Sequence, residues 1–308
     1  MKTIIKSKKI IALILVSCTV FSLILSLSSC EKNKFSFSLN DDGNSYTVTS
    51  YTGTKSTVKI PEKYKKLPVT TIGEEAFAAN KTMTNVVIPD SITAINYKAF
   101  SGCSNLEDIE FSKNITVIEA GSFENCTKLD TVTIPEGVVT VSDGAFLGCT
   151  SLSSVSLPKS IDQISGLAFI GCSSLKSITV NSSHPYLTVS DGCLINKNTK
   201  TLIVATSDAK IPSDASVTTI GNGAFNGRNI SYIVIPKSVT SVGQFAIANC
   251  KKLSAVYYCG TESDYEAVTV EEMNLNITVQ SLYFYSESEP ATNGNFWHYV
   301  NGLPVIWQ

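Results

Sequence analysis

The segment Ile118-Glu-Ala-Gly-Ser-Phe123-Glu-Asn-Cys126-Thr-Lys-Leu129-Asp-Thr-Val132-Thr-Ile134-Pro135 is one copy of a unit that recurs every 23 residues. Three columns of side chains hold this register: Phe77, Phe100, Phe123, Phe146 and Phe169; Cys103, Cys126, Cys149 and Cys172; Leu106, Leu129, Leu152 and Leu175. A fixed period of this length predicts a solenoid, because one coil can bury its apolar face only against neighbouring coils.

Each Leu-x-x-Val-x-Ile run of the unit predicts a short strand. Its alternating side chains point to the core, as for Leu129, Val132 and Ile134. The proline that follows ends the strand because it has no N–H for a ladder. The Ala-Phe segment is too short for a long helix and predicts a turn or a single 3₁₀ turn. We therefore expect a mainly β solenoid of 23-residue coils over residues 72–260.

The segments that depart from the repeat predict two caps and an insertion. Residues 35–51 alternate apolar and polar side chains around a turn, which predicts a hairpin, and residues 35–71 as a whole predict an N-terminal β cap. Residues 181–212 break the period with alternating runs between turn residues, and they predict a β-hairpin insertion. That insertion is either an addition to one coil without a function of its own or a functional element. Residues 261–308 predict a C-terminal cap, with a short helix at 263–268 and both tryptophans, Trp297 and Trp307, closing the open end of the core.

The first 30 residues have the pattern of an export signal. Four lysines precede the apolar run 10–27, which ends in Leu27-Ser28-Ser29-Cys30. A basic start, an apolar run and small residues at a cleavage site are typical of a signal peptide, here residues 1–29. The Leu-Ser-Ser-Cys segment resembles a bacterial lipobox, which implies a lipid on Cys30 and a tether over residues 30–34. An uncleaved signal anchor is the alternative, since 18 apolar residues can just span a bilayer.

Charge and composition exclude several classes of function. The net charge of −2 becomes −6 when the four lysines of the signal are removed, which argues against nucleic acid as a partner. No phosphate-binding loop or hydrolase motif is present, and we expect no cofactor and a monomer. A Cys-His hydrolase that pairs Cys193 or Cys259 with His184 or His298 is a remote alternative.

The repeat cysteines and Cys250 share one position in the coil. Stacking places these positions about 4.8 Å apart with their Cβ atoms pointing the same way, whereas a disulfide needs Cβ atoms angled together. Zinc sites prefer cysteine pairs a few residues apart, often with histidine. We therefore predict small buried thiols and no metal site, and the pairing of Cys193 and Cys259 stays open.

The unit over residues 118–135 and its siblings resembles the BspA-like leucine-rich repeats, over residues 58–256. This resemblance implies a leucine-rich-repeat solenoid in an exported bacterial surface protein, with adhesion to host proteins or other bacteria as a known activity of members. It does not imply a ligand, because a fold does not carry a function.

Solenoids usually bind through the outward residues of their strands. The candidates that we derive by this rule are Asp108, Glu110, Thr131, Thr133, Ser154, Ser156, Ser177, Thr179, Tyr232 and Tyr257. Tyrosine suits an interface because it offers area and a polar tip, whereas small hydroxyls also suit a solvated strand without a ligand. We expect a membrane-anchored protein that binds protein or glycan, with a structural scaffold of the cell envelope as the alternative.

Overall fold

The computed structural model describes residues 34–274, 277 and 281–307. It has the predicted mainly β solenoid of coils about 23 residues long. The predicted signal peptide, the lipidated Cys30 and the tether up to residue 33 lie outside the described residues. Each regular coil contributes one short strand to each of two sides of the solenoid, whereas the sequence predicted only one of these strands.

The strands are, in chain order, β1 (Phe35–Leu39), β2 (Tyr46–Tyr51), β3 (Thr57–Lys59), β4 (Lys63–Tyr64), β5 (Leu67–Ile72), β6 (Asn85–Val87), β7 (Ala94–Ile95), β8 (Asp108–Glu110), β9 (Val117–Ile118), β10 (Thr131–Thr133), β11 (Thr140–Val141), β12 (Ser154–Leu157), β13 (Gln163–Ile164), β14 (Ser177–Val180), β15 (Leu187–Ser190), β16 (Cys193–Asn196), β17 (Thr201–Ala205), β18 (Thr219–Ile220), β19 (Tyr232–Ile235), β20 (Ser241–Val242), β21 (Ala255–Tyr258), β22 (Thr269–Val270), β23 (Leu282–Tyr285), β24 (Phe296–Val300) and β25 (Leu303–Ile306). Helical structure in the described part consists of α1 (Glu262–Tyr265) and a 3₁₀ turn at Gly166–Phe169.

The predicted Leu-x-x-Val-x-Ile strands form one side of the solenoid, which we call the strand face. Its sheets have the orders β3-β6-β8, β10-β12-β14 and β19-β21-β23-β24-β25. Coils stack in register, so that Val132 lies opposite Val155 and Val155 opposite Ile178. These three side chains are buried, because alternate residues of a strand point to opposite sides of the sheet.

The second side consists mostly of two-residue strands around the residue that opens each unit, and we call it the ladder side. Its first sheet has the order β1-β2-β5-β7-β9-β11-β13, with β4 beside β5. Its second sheet has the order β15-β16-β17-β18-β20-β22. The ladder is therefore interrupted after β13, at the point where the insertion begins.

The core repeats one packing arrangement from coil to coil. Phe77, Phe100, Phe123, Phe146 and Phe169 form a stack whose successive ring centroids lie 4.8–5.5 Å apart. The thiols of Cys103, Cys126, Cys149 and Cys172 each donate to the carbonyl of the phenylalanine one coil earlier, at 3.1–3.3 Å. The seven described cysteines are free, which confirms the predicted thiol column and leaves Cys193 and Cys259 unpaired.

The N-terminal end of the Phe stack is covered by the predicted hairpin. Strands β1 and β2 are antiparallel, and β2 then continues the ladder side in parallel with β5. Phe35 and Tyr51 lie against Phe77, with ring centroids 6.2 and 5.5 Å from it. This contact shields the first ring of the stack from solvent, which a terminal coil requires.

The insertion has the predicted hairpin and a third strand. Strands β15, β16 and β17 form an antiparallel meander, and β17 then pairs in parallel with β18. His184 fixes its start, because one ring nitrogen contacts the Ile161 carbonyl at 2.8 Å and the other accepts the Leu187 N–H at 3.0 Å. The meander thereby takes the place of a regular coil on the ladder side.

The C-terminal residues extend the strand face through β23, β24 and β25. A capping box is present at the start of the predicted helix, with Thr261 and Asp264 bonded to each other, but α1 ends at Tyr265, before the predicted 268. The prediction that both tryptophans close the open end of the core is wrong. Trp297 is buried on the outer side of β21, and Trp307 stacks on His298 at 3.8 Å. The core end is covered instead by Tyr265, Leu282 and Phe284.

Candidate functional site

The hydroxyl candidates form two rows on the strand face. Thr131, Ser154 and Ser177 are aligned across β10, β12 and β14, and Thr133, Ser156 and Thr179 form the next row. All six are exposed or half-buried. Small hydroxyls on a solvated strand can form their hydrogen bonds with water, so these rows by themselves indicate no ligand.

The acidic candidates lie on a different sheet. Asp108 and Glu110 are exposed on β8, where they lie opposite Asn85 and Val87 of β6. Strand β8 ends the sheet β3-β6-β8 and is not part of the sheet that carries the hydroxyl rows. The structure therefore places the acidic pair on the same side of the solenoid but in a separate sheet.

The two tyrosine candidates have different environments. Tyr232 is 40% exposed, as expected for an outward residue of β19. Tyr257 also lies on the outer side of β21, but it is only 7% exposed. The prediction that Tyr257 is accessible is wrong, because Trp297 and Tyr283 cover it, with ring centroids 5.2 and 5.6 Å away.

Around these two residues the tail assembles a continuous group of rings, which we call the aromatic surface. Its members are Tyr232, Tyr257, Tyr283, Tyr285, Trp297 and Tyr299, and each ring lies within 6.2 Å of another member. The indole N–H of Trp297 donates to the Tyr258 carbonyl at 2.9 Å. A buried, hydrogen-bonded indole thus supports a layer of partly exposed tyrosines.

Two phenols of the aromatic surface have raised pKa values. Partial burial raises the pKa of the Tyr299 phenol to about 12, and the adjacent Cys259 thiol adds to this shift. Burial also raises the pKa of Tyr257. Neutral phenols at the rim and apolar ring faces suit the faces of sugar rings or apolar side chains.

Sequence reasoning missed Tyr283, Tyr285 and Tyr299. The alternation of Leu282-Tyr-Phe-Tyr285 predicted a strand but not its neighbour. Strand β23 pairs with β21 and β24 pairs with β23, so these tyrosines meet Tyr257 only in the folded chain. The density of aromatic residues in the tail was the one available signal.

The residues of the remote hydrolase hypothesis have other contacts. The thiol of Cys193 donates to the Lys210 carbonyl at 3.4 Å, and both nitrogens of His184 contact the backbone. Cys259 lies beside Tyr299, whereas His298 stacks on Trp307. Across residues 34–274, 277 and 281–307 no cysteine bonds to a histidine, so the described geometry contains no activated Cys-His pair.

Within the described ranges, no three His, Cys, Asp or Glu side chains are grouped so that they could hold a metal ion. None of the helices in that part of the chain combines the length and apolar composition needed to cross a bilayer.

Comparison with known proteins identifies the repeat. A profile of the BspA type leucine rich repeat region matches six copies, over residues 70–200 and 195–265. A leucine-rich repeat protein from Eubacterium ventriosum is 20% identical, over 83% of this chain and 77% of that one, with a TM-score of 0.56.

The pneumococcal vaccine antigen PcpA is 19% identical, over 73% of this chain and 68% of that one, with a TM-score of 0.53. At these identities both structures show a shared fold only. Comparison with curated proteins gave no match. The matched repeats cover well over half of the sequence, and the chain belongs to the family of BspA type leucine-rich repeat proteins.

Proposed function

We propose that the protein is a lipid-anchored, extracytoplasmic binding protein whose aromatic surface takes a protein or glycan partner. Membership in a family of non-enzymatic repeat scaffolds supports a general role in protein interaction. The anchoring part of the proposal is supported by the signal pattern and by Cys30 at the end of the apolar run.

The observation that carries the binding proposal is the exposure of aromatic side chains on a rigid support. Tyr232 and Tyr299 are 40% and 47% exposed. An aromatic ring that stays in contact with water contributes little to folding stability, and a group of exposed rings is typical of an interaction site. Trp297 beneath them is held by packing and by its hydrogen bond to Tyr258. Aromatic residues that are already ordered lose little entropy on binding, and they are enriched at binding hot spots.

The test is a binding assay with the purified full-length protein against matrix proteins, mucin, bacterial surface extract and cell-wall glycan. We expect saturable binding to one of these classes. Combining Tyr232→Ala and Tyr299→Ala should weaken the affinity about tenfold or more, which is the loss expected when hot-spot residues are removed. The control is Tyr97→Ala, which removes an equally exposed tyrosine (44%) outside the strand face.

Thermal unfolding of the double variant separates lost contacts from lost structure. An unchanged melting temperature with weaker binding supports the aromatic surface as the site. Undiminished affinity in a folded double variant would remove this surface from consideration. Absence of binding to all four classes would favour the alternative, a structural scaffold of the envelope.

A further inference from the structure

A groove of about 660 Å³ lies on the ladder side, where the ladder is interrupted by the insertion. One wall consists of residues at the ends of β9, β11 and β13, and the other consists of the start of the insertion and Ile203 of β17. A smaller space of about 300 Å³ continues it past Ser165 toward Asn222. The groove is on a different side of the solenoid from the aromatic surface.

The floor of this groove contains the free edge of strand β13. The N–H groups of Gln163 and Ser165 donate to Val139 and Val141 of the preceding coil. In a parallel ladder, alternate residues bond to opposite neighbours, so the N–H and C=O of Ile164 point away from β11 and toward the groove. Within residues 34–274, 277 and 281–307, no strand pairs with β13 on that side.

The coil of β9, two coils before β13, shows which hydrogen bond is normally made at this edge. The carbonyl of Ile118, which is equivalent to Ile164, accepts the Ser142 N–H of the next coil at 3.0 Å. After β13 the chain enters the insertion, and within the described residues no later strand pairs with β13. An unpaired strand edge is a template for another extended chain.

The wall opposite β13 is fixed in place. The hydroxyl of Tyr186 donates to the Asp162 carboxylate at 2.7 Å, and His184 bonds to Ile161 and Leu187. Burial raises the pKa of Tyr186 to about 12, so this hydroxyl keeps its proton. The groove is therefore formed before any ligand arrives, which reduces the entropy lost on binding.

The lining of the groove is acidic. Glu119, Asp143 and Asp162 contribute carboxylates, and no lysine or arginine lines it. None of the three is among the ion pairs of the described residues. The rest of the lining combines hydroxyls and amides with the apolar side chains of Ile164 and Ile203. A ligand with positive charge and hydrogen-bond donors complements this lining.

We propose that this groove binds an extended basic segment of a partner protein, which adds to β13 as a strand. Its main chain bonds to the N–H and C=O of Ile164, and its lysine or arginine side chains meet Glu119 and Asp143. A peptide fits better than a glycan, because only a peptide offers N–H and C=O groups at the spacing of a ladder. The segment pairs with the edge of β13 that no described strand of this chain occupies.

The test uses the purified full-length protein and a labelled, end-blocked peptide Lys-Val-Lys-Val-Lys, followed by fluorescence polarisation at low salt. We expect saturable binding that weakens about tenfold in the combined variant Glu119→Gln and Asp143→Asn, as for two exposed charge pairs. The matched control is Asp108→Asn with Glu110→Gln, which removes the same charge from the strand face. That control should bind as the wild type does.

Two further measurements test the strand addition itself. Hydrogen exchange of the Ile164 amide should slow by about tenfold or more when the peptide is bound, because a free edge amide becomes hydrogen-bonded. A backbone N-methylated peptide, which keeps the charges but loses donors, should bind at least about tenfold more weakly.

Several outcomes would overturn the proposal. These are no peptide binding at millimolar concentration, equal weakening in both charge variants, unchanged exchange at Ile164, or equal binding of the N-methylated peptide. Preferential binding of a cationic glycan such as a chitosan oligomer would assign the groove to a different ligand class. The proposed aromatic site is tested separately, because combining Tyr232→Ala and Tyr299→Ala should leave peptide binding unchanged.

Discussion

At the scale of single residues, two backbone positions in most coils have a left-handed conformation that the repeat pattern did not reveal, and the second of them lies directly before the cysteine position. The residue before each cysteine position has φ between 57° and 73°: Ala79, Gly102, Asn125, Gly148, Gly171, Gly227 and Asn249. Glycine has no Cβ to clash in this region, and asparagine tolerates it better than most residues. Ala79 is the member least suited to the position.

This column predicts opposite effects for two substitutions. Ala79→Gly should raise the free energy of unfolding by about 1 kcal/mol, and Gly171→Ala should lower it by about 1 kcal/mol. A Cβ added to Gly171 meets its nearest atom, the Cα of Gly148, at 3.5 Å, so the cost is conformational and not steric. Urea unfolding measures both changes.

The control is Ala94→Gly in β7, where φ is not positive and glycine should therefore destabilise. If Ala79→Gly lowered stability by as much as Ala94→Gly does, the left-handed conformation at Ala79 would be contradicted.

At the scale of elements, Arg228 joins the coils across the insertion. It occupies the cysteine position of its coil, and it is fully buried. Its Nε donates to the Ala205 carbonyl at 2.7 Å, and its Nη1 donates to the carbonyl of Phe169, 59 residues away, at 3.1 Å. In the regular coils, the cysteine at this position bonds to the carbonyl of the phenylalanine one coil earlier. Between Phe169 and Arg228 the chain also contains β17, so a longer side chain is needed to reach the Phe169 carbonyl.

The predicted consequence is that restoring the repeat residue destabilises the protein. Arg228→Cys should lower the free energy of unfolding by about 3 kcal/mol or more, because it removes the buried hydrogen bonds that Arg228 donates to four carbonyls. Burial lowers the pKa of Arg228, but an arginine keeps its charge and donates from several N–H groups. Chemical denaturation measures the loss.

The control is Cys250→Ala, which removes one weak donor from an uninterrupted coil and should cost about 1 kcal/mol. A variant Arg228→Cys as stable as the wild type would show that the guanidinium does not link the coils.

At the scale of the whole molecule, the solenoid carries two separate surfaces. The aromatic surface lies on the strand face near the C-terminal end, and the acidic groove lies on the ladder side beside the insertion. Two surfaces on different sides allow one protein to contact two partners, or two parts of one partner, at once. The proposed lipid at Cys30 would keep both near the membrane.

The anchor makes a prediction for the whole protein. Cys30→Ala should move the protein from the membrane fraction to the soluble fraction of cells, because the thiol that would carry the lipid is lost. The control Cys259→Ala removes a partly exposed thiol elsewhere and should leave the protein with the membranes. Retention of Cys30→Ala in the membrane would favour the uncleaved signal anchor.

The coil, the strand before each proline, the buried thiol column and the place of the insertion could all be predicted from the order of the residues. These features follow from the period and from the chemistry of single residues, and each coil repeats the same local environment. The outward direction of Tyr232 and Tyr257 also followed from strand alternation.

What covers each surface became evident only in the folded chain. Tyr257 is buried by Trp297, which lies 40 residues later, and the aromatic surface exists because β23 and β24 pair beside β21. The free edge at Ile164 likewise depends on where the insertion leaves the ladder. Periodicity reports which side of a strand faces outward, but contacts between distant, non-repeating segments depend on their pairing in space, and no local pattern encodes that pairing.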